Sequence, residues 1–156
     1  MKALLDTSFF LRLLDSNDPL HENAKDYFEY MLNNGFELYI STIAIAEFCV
    51  RNSLDHLPFR NVKVLPFNIF HAEEAGSVYR LVLDERKRRG AEGPKREVVQ
   101  NDSKQFGQAV SEEFDWYVSS DSEAVKVYSI FKDSVNHKFL YVDIGNPISQ
   151  YTGQLF

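Results

Sequence analysis

Cysteine is almost missing from this sequence, since Cys49 is the one cysteine among 156 residues. A single thiol excludes an internal disulfide framework and is compatible with a reducing cytoplasm. Phe48 and Val50 flank this cysteine in the sequence. We therefore expect Cys49 to be an inert thiol within the hydrophobic core.

Long hydrophobic runs are missing as well, which argues against a membrane-spanning segment. The chain begins with Lys2 and a short apolar segment that is interrupted at Asp6, and no small-residue cleavage site follows. This is a poor match to a secretory signal peptide. We expect a cytoplasmic protein without membrane association.

An excess of positive charge is the third missing feature. The 17 Lys and Arg residues stand against 23 Asp and Glu residues, which gives a formal net charge of −6. Nucleic-acid binders are usually basic, so the sum argues against a general one, although the distribution of charge matters more than its sum. A site holding several carboxylates for a metal ion would itself add negative charge.

Apolar residues are abundant, with 44% hydrophobic and 14% aromatic residues in the sequence. This composition predicts a single folded domain over residues 1–156.

Short apolar strands alternate with amphipathic helices along the chain. This pattern predicts an α/β fold, a three-layer α/β/α sandwich around a parallel sheet of about five strands. Asp18 and Pro19 are expected to begin the second helix, and Pro147 to open a C-terminal tail. The predicted strands are residues 2–6, 36–40, 62–67, 115–118 and 139–144, and the predicted helices are residues 7–14, 19–33, a segment capped by Ser41–Thr42, 69–87, 98–110 and 122–131.

Residues 84–97 form a charged segment that contains Gly and Pro, and we interpret it as a helix end leading into a mobile loop. Its cations could contact an RNA backbone. The alternative is a solvated helix terminus, in which the cations pair with neighbouring acids such as Asp84 and Glu85. The candidate RNA-binding residues are Arg86, Arg88, Arg89, Lys95 and Arg96.

Four acids follow the predicted strands at comparable places. Asp6 comes directly after the first strand, Glu47 lies in the helix after the second, Asp102 lies near a late helix start, and Asp121 follows the fourth strand. The carboxyl ends of parallel strands meet at one edge of the sheet, so these acids could share a pocket. Clustered carboxylates repel one another unless a cation binds, and hard oxygen ligands suit Mg²⁺ or Mn²⁺.

Each acid also has a simpler interpretation that the sequence leaves open. Asp102 and Asp121 could cap their helices, and Glu47 could be a solvated helix acid. Asp6 is harder to explain this way, because Leu4 and Leu5 should be buried and a buried carboxylate without a partner is costly.

The ordered set of four segments resembles the PIN-domain nucleases, particularly the VapC-type toxins of bacterial toxin–antitoxin pairs. The segments are residues 4–8, 43–47, 101–109 and 119–121, so the resemblance covers nearly the whole chain. It implies a divalent-metal-dependent endoribonuclease in which Asp6, Glu47, Asp102 and Asp121 are the catalytic, metal-binding acids. It also implies supporting hydrogen bonds from Thr7, Ser8 and Ser119. Residues 103–106 are more polar than this family leads us to expect.

The resemblance carries further expectations about cofactor and partners. It implies Mg²⁺ or Mn²⁺ as the cofactor, an RNA substrate, an antitoxin protein as partner and a homodimer. The alternative is a catalytically weak or inactive PIN-like module that acts through protein partners and need not bind metal.

Overall fold

Five short strands form one parallel sheet in a computed structural model of the chain, which describes residues 1–90, 96–133 and 136–153. Their order across the sheet is β3-β2-β1-β4-β5, and every neighbouring pair is parallel. The strands are β1 (Lys2–Leu5), β2 (Glu37–Ser41), β3 (Val62–Leu65), β4 (Trp116–Ser119) and β5 (Leu140–Asp143). The helices are α1 (Thr7–Leu14), α2 (His21–Asn33), α3 (Thr42–Phe48), α4 (Ile69–Arg89), α5 (Arg96–Ser111), α6 (Ser122–Phe131) and α7 (Ser149–Thr152), with a 3₁₀ turn at Leu54–His56.

The central strand β1 divides the sheet into two halves. Leu5 lies opposite Ile40 of β2 on one side and Val118 of β4 on the other. The chain therefore leaves β1, β2 and β4 at the same edge of the sheet. In open α/β sheets, the crevice at this edge, beside the strand where the order reverses, is where ligands bind.

Helices cover both faces of the sheet, because side chains alternate between the faces along each strand. Leu5 packs on one face with Phe9 of α1 and the helices α2 and α3. Leu4 packs on the opposite face with Phe106 of α5 and the helices α4 and α6. The predicted three-layer α/β/α sandwich is confirmed.

The helix bounds within residues 84–97 differ slightly from the prediction. Helix α4 continues to Arg89, and α5 already begins at Arg96, each about two residues beyond the predicted end. Ion pairs three residues apart, Lys87 with Asp84 and Arg88 with Glu85, suit the end of a helix. The predicted mobile loop falls on residues 91–95, which lie outside the described part of the chain, so it stays a prediction.

Three smaller predictions also need correction. Helix α2 begins at His21 because Asp18 accepts a hydrogen bond from the Leu20 backbone, which forms a turn before the helix and not a cap. The predicted C-terminal tail contains the short helix α7. Cys49 is exposed and not in the core, since it follows buried Phe48 at the C-terminal end of α3, on the solvent side.

A capping network joins the beginning of α4 to the end of α5. The Asn68 side chain accepts from the backbone of Phe70 and His71, and His71 Nδ1 accepts from the Asn68 backbone at 3.1 Å. His71 is fully buried, and its Nε2 lies 2.8 Å from Glu112 Oε1. This network assigns a structural role to a histidine that the sequence left without one.

Within the described ranges, none of the helices combines the length and the hydropathy needed to cross a bilayer.

Helices α4 and α5 are in direct backbone contact at Gly107. A Cβ atom at this position would lie 2.5 Å from the backbone nitrogen of Ala75, which is far inside van der Waals contact. Gly76, the next residue of α4, has nothing within 4 Å of its own Cβ position.

Gly107→Ala should therefore force the two helices apart. We expect the free energy of unfolding to decrease by about 1–3 kcal/mol, the usual cost of overpacking. Gly76→Ala is the matched control and should raise it by about 0.5–1 kcal/mol, because alanine favours helix. Urea denaturation of the purified variants measures both, and equal stabilities would contradict the close contact.

Candidate active site

Asp6 is held at the end of the central strand by neutral donors. Its backbone N–H donates to Val118 at 3.0 Å, which carries the strand pairing one residue past β1. Oδ2 accepts from Ser8 Oγ at 2.8 Å and from Ser119 Oγ at 2.9 Å, and Oδ1 accepts from Gln105 Nε2 at 3.0 Å. The side chain is only 6% exposed. The donors fix the carboxylate without neutralising its charge.

Glu47 reaches the same region from α3. Ser41 caps this helix by accepting from the backbone of Ile43, so α3 starts directly at the end of β2. Glu47 Oε2 accepts from Thr7 Oγ1 at 2.8 Å, and Oε1 accepts from the Asn101 amide. Partial burial raises the pKa of Glu47, and the two hydrogen bonds offset part of this shift.

Asp102 lies in the second turn of α5 and not at its start, since the helix begins at Arg96. It is therefore not a helix cap. The side chain is 7% exposed, and its Oδ2 has no hydrogen-bond partner among the described residues. Burial, with the negative charges of Asp6 and Asp121, raises the pKa of Asp102 to about 9.

Asp121 does cap a helix, as one of its two sequence interpretations predicts. Its Oδ1 accepts from the Glu123 backbone at 2.8 Å at the start of α6. Its own backbone N–H donates to Ser119 Oγ at 3.0 Å. Ser119 thereby links Asp121 to Asp6.

The four acids line one cavity of about 390 Å³ at the carboxyl edge of the sheet. They come from four different elements, and among the described residues none that lines the cavity is basic. The lining residues are Asp6, Thr7, Ser8, Leu11, Glu47, Asn101, Asp102 and Asp121.

The donor chemistry of this cavity suits a hard divalent cation. The charged groups that line it in the described part of the chain are all carboxylates, and Oδ2 of Asp102 is buried there without a hydrogen-bond partner. In the described part of the chain, no three acidic, histidine or cysteine side chains are already arranged to hold a metal. The acids would therefore have to move closer together when a cation binds. Without a cation, their mutual repulsion keeps them apart.

Two residues of the site were not selected by sequence reasoning. Asn101 contacts Glu47, and Gln105 contacts Asp6. The available signal was their helical spacing, since residues four apart on a helix share a face that also includes Asp102.

The candidate RNA-binding cations do not line the acidic cavity where the structure describes them. Arg88 pairs with Glu85 at 3.2 Å at the C-terminal end of α4, as in the alternative interpretation. Arg86 is on the same helical turn. Lys95 and the side chains of Arg89 and Arg96 lie outside the described residues, so their RNA-binding role stays a prediction.

A sequence profile of the PIN domain matches residues 3–86, which is more than half of the chain. The chain belongs to the PIN-domain family. The match includes Asp6 and Glu47, whereas Asp102 and Asp121 follow it. Among curated proteins, none matches this sequence.

Solved structures with the same fold include three VapBC assemblies. One is VapBC2 from Rickettsia felis bound to a DNA fragment from their promoter. A chain of that structure matches this one with a TM-score of 0.58 and 17% sequence identity, and the match covers 92% of this chain and 100% of that one. DNA-bound VapBC from Salmonella typhimurium matches with a TM-score of 0.56 and 19% identity, over 92% of this chain and 98% of that chain. VapBC-1 from nontypeable Haemophilus influenzae matches with a TM-score of 0.60 and 18% identity, over 94% of this chain and 100% of that chain. At these identities the likeness shows a shared fold.

The raised pKa of Asp102 predicts a pH-dependent stability of the metal-free PIN domain. In the folded protein this carboxyl keeps its proton up to about pH 9, whereas in the unfolded chain it ionises above its ordinary pKa near 4. Folding therefore takes up a proton between these values. The free energy of unfolding should decrease as the pH rises, with a slope approaching about 1.4 kcal/mol per pH unit.

Asp102→Asn removes this proton uptake. In EDTA, we expect the variant to be more stable than wild type at about pH 8 and to show a flatter slope from about pH 5 to pH 8. Asp26→Asn changes an exposed carboxylate of α2 and should leave the slope unaltered. Denaturation curves at several pH values measure the slopes, and identical slopes for all three proteins would refute the buried, protonated state.

Proposed function

We propose that this PIN-domain protein is a divalent-metal-dependent endoribonuclease that hydrolyses RNA phosphodiester bonds, and that it is the toxin of a toxin–antitoxin pair. The observation that carries the proposal is one cavity lined by four carboxylates and, among the described residues, by no basic side chain. Acids brought together from four elements repel one another, which destabilises the fold unless a cation binds.

Asp6, Glu47, Asp102 and Asp121 would hold Mg²⁺ or Mn²⁺. When bound, such an ion would lower the pKa of a water molecule and offset the charge that develops on the phosphate. No protein nucleophile is needed in this scheme.

The surrounding residues keep the acids ready for this role. Ser8 and Ser119 orient Asp6, and Thr7 orients Glu47. Glu47 is half-buried with a raised pKa, which fits a general base that accepts a proton from the attacking water. Asp102 would release its proton when a cation binds, so metal affinity should increase with pH.

The proposed partner is an antitoxin protein that covers the acidic cavity. The VapBC assemblies with the same fold support this partner. A cavity with four carboxylates and no basic lining residue would accept an arginine from such a partner, because a guanidinium pairs with carboxylates through two hydrogen bonds. We also propose that the protein forms a homodimer.

The nuclease is tested by cleavage of structured and single-stranded RNA with Mn²⁺, Mg²⁺ or EDTA. Asp6→Asn should reduce the metal-dependent rate by at least about 100-fold, since changes around metal ligands alone typically cost about 10–100-fold. Asp26→Asn is the matched surface control and should cut at the wild-type rate.

Cutting that survives EDTA, or that Asp6→Asn retains, would overturn the proposed mechanism. Failure of the wild type to cut RNA, combined with no calorimetric binding of Mn²⁺, would favour the alternative of a PIN-like module that acts only through protein partners.

The role of the α4 cations is tested by the salt dependence of RNA binding in EDTA, in the Asp6→Asn background. If Arg86 and Arg88 each contact a phosphate, changing both to Gln should reduce the slope of log Kd against log salt by about 1.4, from about 0.7 per contact on a single strand. Changing the exposed Lys25 and Lys63 to Gln is the control and should leave the slope unchanged. An unaltered slope in the arginine variant would exclude the contacts.

A further inference from the structure

Helix α5 carries a row of three carboxamides along one face, next to the buried Asp102. Asn101, Gln105 and Gln108 are spaced four and three residues apart, so they lie on successive turns of this face. Each reaches a different element. The Asn101 amide donates to Glu47 of α3, the Gln105 amide donates to Asp6 after β1, and Gln108 accepts from Ser41 of β2.

Gln105 has a distinct place in this row. It is 1% exposed, and its Nε2 lies 3.0 Å from Asp6 Oδ1. The serine donors to Asp6, Ser8 and Ser119, both bind the other oxygen, Oδ2. Among the described contacts, Gln105 is therefore the side chain that holds Oδ1. It also connects the helix that carries Asp102 to the strand that ends at Asp6.

The chemistry of the contact matters as much as its position. A carboxamide satisfies a carboxylate oxygen without cancelling its charge, whereas a lysine or arginine would compete with a cation for it. The Oε1 atom of Gln105 is buried without a partner among the described residues, so the side chain contributes to the site through its donor alone.

We propose that Gln105 is a positioning residue that sets the affinity of the acidic cavity for a divalent cation, by holding Asp6 Oδ1 in place relative to Asp102. This inference rests on the proposed metal-dependent function. Gln105 touches neither cation nor RNA in this role, because it acts through the Asp6 carboxylate.

The test is a titration of the purified full chain with Mn²⁺, followed by electron paramagnetic resonance, which counts free Mn²⁺ without any RNA. Gln105→Met keeps the length of the side chain and removes its donor. We expect the Kd for Mn²⁺ to increase by about 10–100-fold, the usual effect of losing a partner of a metal ligand. Excess Mn²⁺ should restore the kcat of RNA cleavage, because the acids themselves are intact.

Ser103→Ala is the matched control on the same helix. Ser103 is 1% exposed, lies between Asp102 and Gln105, and its Oγ contacts no acid. This variant should bind Mn²⁺ as the wild type does and should unfold near the wild-type Tm without metal. Metal-free Gln105→Met should unfold at a lower temperature, because Asp6 Oδ1 loses its donor, but it should be folded at the temperature of the titration.

Two outcomes would overturn the inference in distinguishable ways. If Gln105→Met binds Mn²⁺ as tightly as wild type, then Gln105 only packs the helix, and the proposed nuclease stands. If the wild type itself binds no Mn²⁺, the proposed function fails and the inference fails with it. Should Gln105→Met not fold, Gln105→Asn shortens the side chain by one methylene and must produce the same increase in Kd.

Discussion

The arrangement of this PIN domain depends on one buried carboxylate at the end of its central strand. A carboxylate at 6% exposure is costly unless its oxygens are satisfied. Asp6 is satisfied by Ser8 of α1, Ser119 of β4 and Gln105 of α5. These contacts join the end of β1 to β4 and to one helix on each face of the sheet. The strand order places Asp6 where such contacts can converge, because β1 lies between β2 and β4.

Burial of Asp102 and Glu47 opposes the stability of the fold that brings them together. Asp102 is buried beside three more carboxylates, and its proton relieves part of the repulsion when no cation is present. Glu47 keeps two hydrogen bonds, from Thr7 and Asn101, which compensate for part of its burial. Carboxylates held together at a cost in stability are typical of sites where function opposes stability.

Asp6 and Glu47 are the acids of this cavity that accept hydrogen bonds from other side chains, and all of the donors described are neutral. Hydroxyls bind Asp6 and Glu47, and amides of α5 bind the same two carboxylates from the opposite side. On α4, Lys87 and Arg88 pair with acids of their own helix instead. The cavity therefore keeps its negative charge, and α5 is held in register by its close contact with α4 at Gly107.

The sequence determined the alternation of strands and helices, and with it the α/β sandwich, because apolar runs and helical periodicity are local signals. It also determined that Asp6 and Asp121 follow strands, so that parallel pairing alone would bring them to one edge. Helices α4 and α5 each extend about two residues beyond their predicted ends within residues 84–97, since ion pairs along α4 stabilise its last turn. The exposure of Cys49 depends on which side of α3 faces solvent, and a sequence window does not contain that information.

Only the tertiary structure decided how the acids are held. Asp102 resembles a helix cap in the sequence, but its burial in the second turn of α5 depends on how that helix packs across the sheet. Gln105 lies 99 positions from Asp6 along the chain, and no local pattern reports such a contact. The sequence by itself determined which carboxylates exist and on which elements they lie. Their shared cavity and their donors arise from long-range packing, because burial and hydrogen bonding between distant residues exist only in the folded chain.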